Sequence, residues 1–120
     1  MPVTLTMRRL YYFLIVIFLS GSCHSSGESF DRHGYLILTK HARCRMECRH
    51  ITMKEIHEIL DKGTINYAKS EPDAHPDPKF ALEGYTEEHQ HLRVIIAPEG
   101  SKLILVTCIE LGVEWQCDCH

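Results

Sequence analysis

Two helical stretches followed by a run of short extended ones predict an α+β domain, with two N-terminal helices packed on one face of a small, mainly antiparallel sheet of about four strands. Two observations carry that expectation. Met53, Ile56, Ile59 and Leu60 recur at helical spacing behind Thr52-Met53-Lys54-Glu55, a capping-box pattern in which hydroxyl and carboxylate can each satisfy a free backbone donor. Residues 80–85, 92–97 and 103–109 are apolar runs of strand length, joined by polar turns so short that they dictate an antiparallel meander. No internal repeat is visible, and 120 residues allow one domain.

The amino terminus reads as an export signal. Arg8 and Arg9 precede an unbroken apolar run over residues 10–19, and Ser20, Gly21 and Ser22 lead to Cys23. Ten apolar residues fall well short of the ~20 that a membrane-spanning helix needs. Met7 would make a tidier start than Met1, because the basic pair would then open the chain. Leu19-Ser20-Gly21-Ser22-Cys23 resembles the lipobox of bacterial lipoproteins, although Ser20 stands where leucine is common. That resemblance implies cleavage before Cys23 and a membrane anchor through lipid on its sulfur. The expected organisation is a signal peptide over 1–22, a lipidated cysteine and flexible tether over 23–33, and one domain over 34–120 in the bacterial cell envelope.

Cleavage also changes the charge. Basic residues fall from 13 to 11 against 16 acids, for a formal charge of −5. Binding to nucleic acid rests chiefly on Lys and Arg neutralising phosphates, so an acidic exported domain is a poor match for RNA or DNA. A protein partner, which the sequence does not identify, fits better.

Within the domain, residues 35–38 suit a short strand or a lead-in to a helix over 40–49. On that helix Arg43, Glu47 and His50 share the solvent face, which places His41 and Arg45 near the middle of the opposite, inward face. The helix begun by Thr52 should bury Met53 and its isoleucine stripe and should close on Gly63 with a left-handed cap. Residues 64–67 can add a strand, and three prolines between 72 and 78 hold the next stretch in a loop.

Cysteine placement is the sharpest signal. Cys44 and Cys48 lie four apart on one helix face, and Cys117 and Cys119 stand just before His120. Strain disfavours pairing within either set. Cross-pairing into two disulfides suits an oxidising exported compartment. The alternative is one structural zinc held by Cys44, Cys48, Cys117 and Cys119, or by three of them with His120. Cys108, inside an apolar strand, reads as a small buried hydrophobe. Metal handling by His75, His89, His91 and His120 is a weaker reading, because only His89 and His91 are closely spaced.

An inward arginine normally has a partner, and Glu83 is a candidate acid for Arg45. Alternatively His41, Arg45 and Arg49 line a shallow site with Thr107 on a facing strand, the histidine moving a proton and the arginines holding an anion.

The stretch Thr39-Lys40-His41-Ala42-Arg43-Cys44-Arg45-Met46-Glu47-Cys48-Arg49-His50-Ile51 resembles the opening signature, His-Ala-x-x-Arg-Met-x-x-Arg-x-Ile, of the bacterial domain of unknown function 4258. The resemblance covers about residues 35–110. It implies an α+β fold similar to the small RelE-like and BrnT-like ribonuclease toxins, with His41, Arg45, Arg49 and Thr107 mapping to the RNA-cleaving face. The export signal, the acidic charge and the cysteines within the signature helix argue for a non-enzymatic interaction or envelope-structural module instead. Fold kinship alone does not establish the reaction.

Overall fold

The computed structural model describes residues 30–119. The expected signal peptide, Cys23, most of the expected tether and His120 lie outside them. Strand β1 (Tyr35–Leu38) leads directly into helix α1 (Lys40–Cys48) and then α2 (Met53–Lys62); β2 (Thr64–Ile65), a 3-10 turn, β3 (Phe80–Tyr85), β4 (His91–Glu99) and β5 (Lys102–Glu110) follow. The strands form one sheet in the order β1-β5-β4-β3-β2.

The fold is thus α+β with both helices near the amino terminus, as expected, but the sheet has five strands and is mixed. Residues 64–65 supply an edge strand, and β1 pairs parallel to β5. A chain that enters the sheet before its helices and returns through three hairpin-linked strands is free to bring its first strand beside its last.

Thr39 turns strand into helix. Its hydroxyl accepts from the Ala42 amide at 3.0 Å, which caps α1, and also donates to the Leu105 carbonyl at 3.0 Å. The first turn of α1 is thereby fixed over β5. Ala42 and Met46 are the buried residues of α1, while Arg43, Glu47 and His50 are exposed as predicted. His41 and Arg45 are half-buried, not central to the inward face. The inward stripe is rotated by one residue from its predicted place, onto Ala42 and Met46.

Helix α1 ends in a Schellman arrangement. The Ile51 amide bonds to the Met46 carbonyl at 2.9 Å and the His50 amide to the Glu47 carbonyl at 3.4 Å. His50 holds the left-handed position, with φ of 53°. Met46 and Ile51, the pair that brackets this turn, both enter the core.

Helix α2 buries Ile56, Ile59 and Leu60 against β3 and β4. Met53, expected in the core, is 38% exposed at the first residue of α2. Gly63 does not adopt the predicted left-handed cap either; its φ is −67°. It is glycine for space. A Cβ there would lie 2.5 Å from the Ile59 carbonyl oxygen, and one on Gly84 would lie 3.3 Å from the Gly63 Cα, so this glycine pair lets α2 end flush against β3.

Leu82, Leu92, Val94, Ile96, Leu103, Leu105 and Cys108 complete the core from the sheet. Each fully buried aliphatic side chain contributes roughly 1.5–3 kcal/mol. Between β4 and β5 the register shifts: Ile95 faces Thr107 but Ile96 faces Leu105, so Val106 is an extra residue. This bulge reverses the alternation along β5. Leu103, Leu105 and Cys108 face the helices, and Thr107 turns to the opposite side.

Candidate functional site

His41, Arg45 and Arg49 stand at successive i, i+4 positions along one side of α1. The structure brings these three together. Arg45 Nε donates to His41 Nε2 at 3.3 Å, so the predicted partnership of Arg45 with Glu83 is replaced by one within the helix. Glu83 instead binds Arg93 Nε at 3.0 Å and Asn66 at 2.7 Å within the β2–β3–β4 part of the sheet. Burial acts against ionisation of Glu83, but those two donors outweigh it and hold its carboxyl below the usual value.

Arg49 has a different task. Strand β1 pairs only with Lys102–Leu105, leaving the rest of that edge of β5 to other donors. Thr39 serves Leu105 and Val106, and the Arg49 guanidinium donates to the Cys108 carbonyl. Burial, and secondarily the neighbouring charge of Arg45, lower the Arg49 pKa from its ordinary value. Thr107, the fourth predicted site residue, belongs to the face turned away from the core by the Val106 bulge.

Beyond β5 the chain doubles back over the end of α1. Cys117 is bonded to Cys48 and Cys119 to Cys44, each with Cα atoms 5.8 Å apart. The pairing order means that the tail runs antiparallel to the helix. Four helical residues advance about 6 Å and two extended residues about 6.6 Å, so an i, i+4 helical pair can meet an i, i+2 tail pair without distortion of either. The same arithmetic explains why the cysteines cross-pair. All four sulfurs are consumed in these bonds, which corrects the four-thiolate zinc alternative: a disulfide sulfur is not a thiolate ligand. Among the described residues no group of three or more His, Cys, Asp or Glu is placed to hold a metal ion.

A cleft of about 330 Å³ remains between tail and helix, lined by Arg49, Ile109, Val113, Trp115 and Cys117 among others. Trp115 packs edge-on against His50, with ring centroids 5.2 Å apart, and its Nε1 donates to Glu110 at 3.4 Å. Sequence reasoning passed over Trp115. The available signal was an isolated aromatic two residues before a cysteine that must reach the helix. Cys108 lies inward beneath Arg49, and burial pushes its thiol up to about 11, against the smaller opposing pull of Arg49 and Arg45. Among the described residues it is the free cysteine, and it is fully buried, as its apolar neighbours predicted.

A helical pair over a five-stranded mixed sheet, with a basic helix edge and a carboxyl-terminal tail cross-linked across it, defines a small disulfide-tied α+β domain. Residues 38–110 match the family described as Domain of unknown function (DUF4258), and the chain belongs to that family. The matched region runs from the last residue of β1 to the last of β5; it contains Cys44 and Cys48, while Cys117 and Cys119 lie beyond it. No curated protein and no solved structure matches the chain. Two disulfides are consistent with an oxidising compartment, and no helix among the described residues is long and apolar enough to cross a membrane.

Proposed function

We propose that this protein is an exported domain tethered to a bacterial membrane by lipid on Cys23, serving as an interaction or envelope-structural module and not as a catalyst. One observation carries the reading: four of its cysteines are joined as Cys44–Cys119 and Cys48–Cys117, bonds that a reducing cytosol would not maintain. The chemistry of the signature helix agrees with it. Arg49 is committed to a backbone carbonyl and Arg45 to His41, uses that hold the fold together and leave little for a substrate. Tying the tail across α1 fixes a surface, containing Trp115 and Val113, of the kind a protein partner recognises.

The test is metabolic labelling of the full chain in a bacterium supplied with an alkyne-bearing fatty acid. Wild-type protein should carry the label, sediment with membranes and show one free thiol after denaturation without reductant. Cys23→Ser should abolish label and sedimentation together. A labelled Cys23→Ser variant, or wild-type protein recovered in the cytosol with all thiols free, overturns the proposal.

A further inference from the structure

Strand β1 is one edge of the sheet, and among the described residues β5 is its one neighbour there. Its sequence, Tyr35-Leu36-Ile37-Leu38, holds no charge and no proline, and its pairing with β5 runs without a bulge. Edge strands ordinarily carry such features, which keep their free main-chain groups from pairing with another chain. The opposite edge is managed differently: β2 is two residues long, and the loop beyond it is closed by pairing of Glu71 with Lys79.

Hydrogen bonding to β5 shows which main-chain groups of β1 are free. The Tyr35 amide donates to the Ser101 carbonyl at 2.9 Å and the Thr39 amide to the Leu105 carbonyl at 3.3 Å, so residues 35, 37 and 39 turn their main-chain groups to β5. Those of Leu36 and Leu38 point away from the sheet, and no described residue pairs with them. Side chains alternate across the strand. Leu36 and Leu38 pack against the core under the helices, which leaves Tyr35 and Ile37 on the uncovered face. Tyr35 is 73% exposed, the highest value among the large hydrophobic side chains described. Leu38 is also a wall of a cleft of about 260 Å³ shared with Met46, Ile51 and the exposed Met53.

We infer that β1 is a dimerisation strand: two copies of this chain join edge to edge through antiparallel β1 strands, about a two-fold axis at Ile37. An edge strand paired with itself must match residues that share a face. The register that uses every free group sets Leu36 opposite Leu38 of the second copy, the two exchanging both main-chain hydrogen bonds, and sets Ile37 opposite its own equivalent. Leu36 of the second copy then lies beside Leu38, on the face that holds the Met46–Met53 cleft. The flanking charges select a second copy over an arbitrary strand. Asp31 precedes β1, Lys40 and Arg43 follow it, all three are exposed, and no ion pair between described residues engages them. Antiparallel pairing carries the acid of each copy toward the bases of the other. The result is one continuous sheet with all helices on the same side. The inference does not depend on the membrane tether or on the disulfides.

The experiment reads proximity and mass. Full chains carrying Ile37→Cys or Tyr35→Cys are exposed to a mild oxidant in bacterial membranes and run on non-reducing gels, with wild type giving the background from Cys23. Ile37→Cys should give a cross-linked dimer, because residues facing each other in a non-hydrogen-bonded pair stand about 4.5 Å apart between Cα atoms. Tyr35→Cys should not, since its equivalent lies about 14 Å further along the strand. Sedimentation of the purified wild-type chain in detergent should show a concentration-dependent dimer. Ile37→Lys, which sets two ammonium groups face to face, should leave a monomer with both disulfides intact. Asp31→Lys, at an exposed position, should weaken the dimer roughly three- to tenfold, and adding Lys40→Glu and Arg43→Glu should restore it. A wild-type chain that stays monomeric at every concentration overturns the inference, whether its edge is covered by its own tether or by another protein. So does a dimer that Ile37→Lys and Asp31→Lys both leave unchanged, or cross-linking through Tyr35→Cys and not through Ile37→Cys.

Discussion

The guanidinium of Arg49 donates to the main-chain carbonyl of Cys108, closing the stretch of β5 edge that β1 is too short to cover. An arginine of the kind that can hold a substrate phosphate is here completing a sheet. Replacing it with methionine keeps the stem and deletes the donors, leaving a partly buried carbonyl unpaired at a cost of about 1–2 kcal/mol. Arg49→Lys should recover part of that loss, because a single ammonium can reach one acceptor. Urea denaturation of the oxidised protein measures both, and a methionine variant as stable as wild type would show that water replaces the arginine.

Cys108 gives the fold an alkaline limit. Its thiol is held up to about 11 by burial, while in the unfolded chain it ionises near the ordinary 9.0. Between those values the unfolded state releases a proton that the folded state keeps. The contribution is therefore fully present below pH 9 and lost as pH rises through 11, on the order of 2 kcal/mol. Stability measured from pH 8 to 11 should fall more steeply for wild type than for Cys108→Ala, even though the alanine variant starts lower because of its cavity. Parallel curves would mean that Cys108 is not the group responsible.

The two disulfides should be strongly non-additive. Each alone closes a long loop, with sequence separations of 75 and 69, worth about 4 kcal/mol on chain-entropy grounds. Once either is made, the other closes only a few residues of helix and tail and contributes about 2 kcal/mol. Cys44→Ala/Cys119→Ala and Cys48→Ala/Cys117→Ala should therefore each cost about 2 kcal/mol, and the quadruple variant about 6. Thermal unfolding of the three variants checks this. If each pair cost half of the total, the tail would be held by something besides the sulfurs.

Much of this fold is legible in the sequence because its signals are local. Thr52 and the Ile56–Ile59–Leu60 stripe mark α2, and the turns at 86–90 and 98–101 mark the meander. Cysteines spaced four apart on a helix and two apart in the tail imply the cross-linking, which is a matter of matching repeats. What escaped depends on register and space. The Val106 bulge exchanges the faces of Thr107 and Cys108, and strict alternation from Leu103 and Leu105 would have turned Thr107 toward the helices. Gly63 reads as a conformational glycine because both kinds look alike in sequence, whereas its role is set by Gly84 across the interface. Glu55 was absorbed by the capping-box pattern, and only coordinates reveal its unpartnered oxygen.

The ribonuclease expectation attached to the family resemblance is open to direct test through His41. Proton transfer to or from a substrate needs a ring nitrogen within reach, yet Nε2 already accepts from Arg45. A transition-state phosphate needs preorganised cations, and Arg49 is turned to a backbone carbonyl. The full chain carries a formal charge of −3, and the proposed removal of its signal would make it more acidic, which disfavours long-range attraction of RNA. Incubated with mixed-sequence RNA at about 0.1 M salt, the oxidised protein should leave it intact, and His41→Ala and Arg45→Ala should behave as wild type. Those variants should register instead in unfolding, by roughly 0.5–1.5 kcal/mol for a lost hydrogen bond. Cleavage by wild type that disappears in both variants would reverse the assignment and make the helix edge an active site.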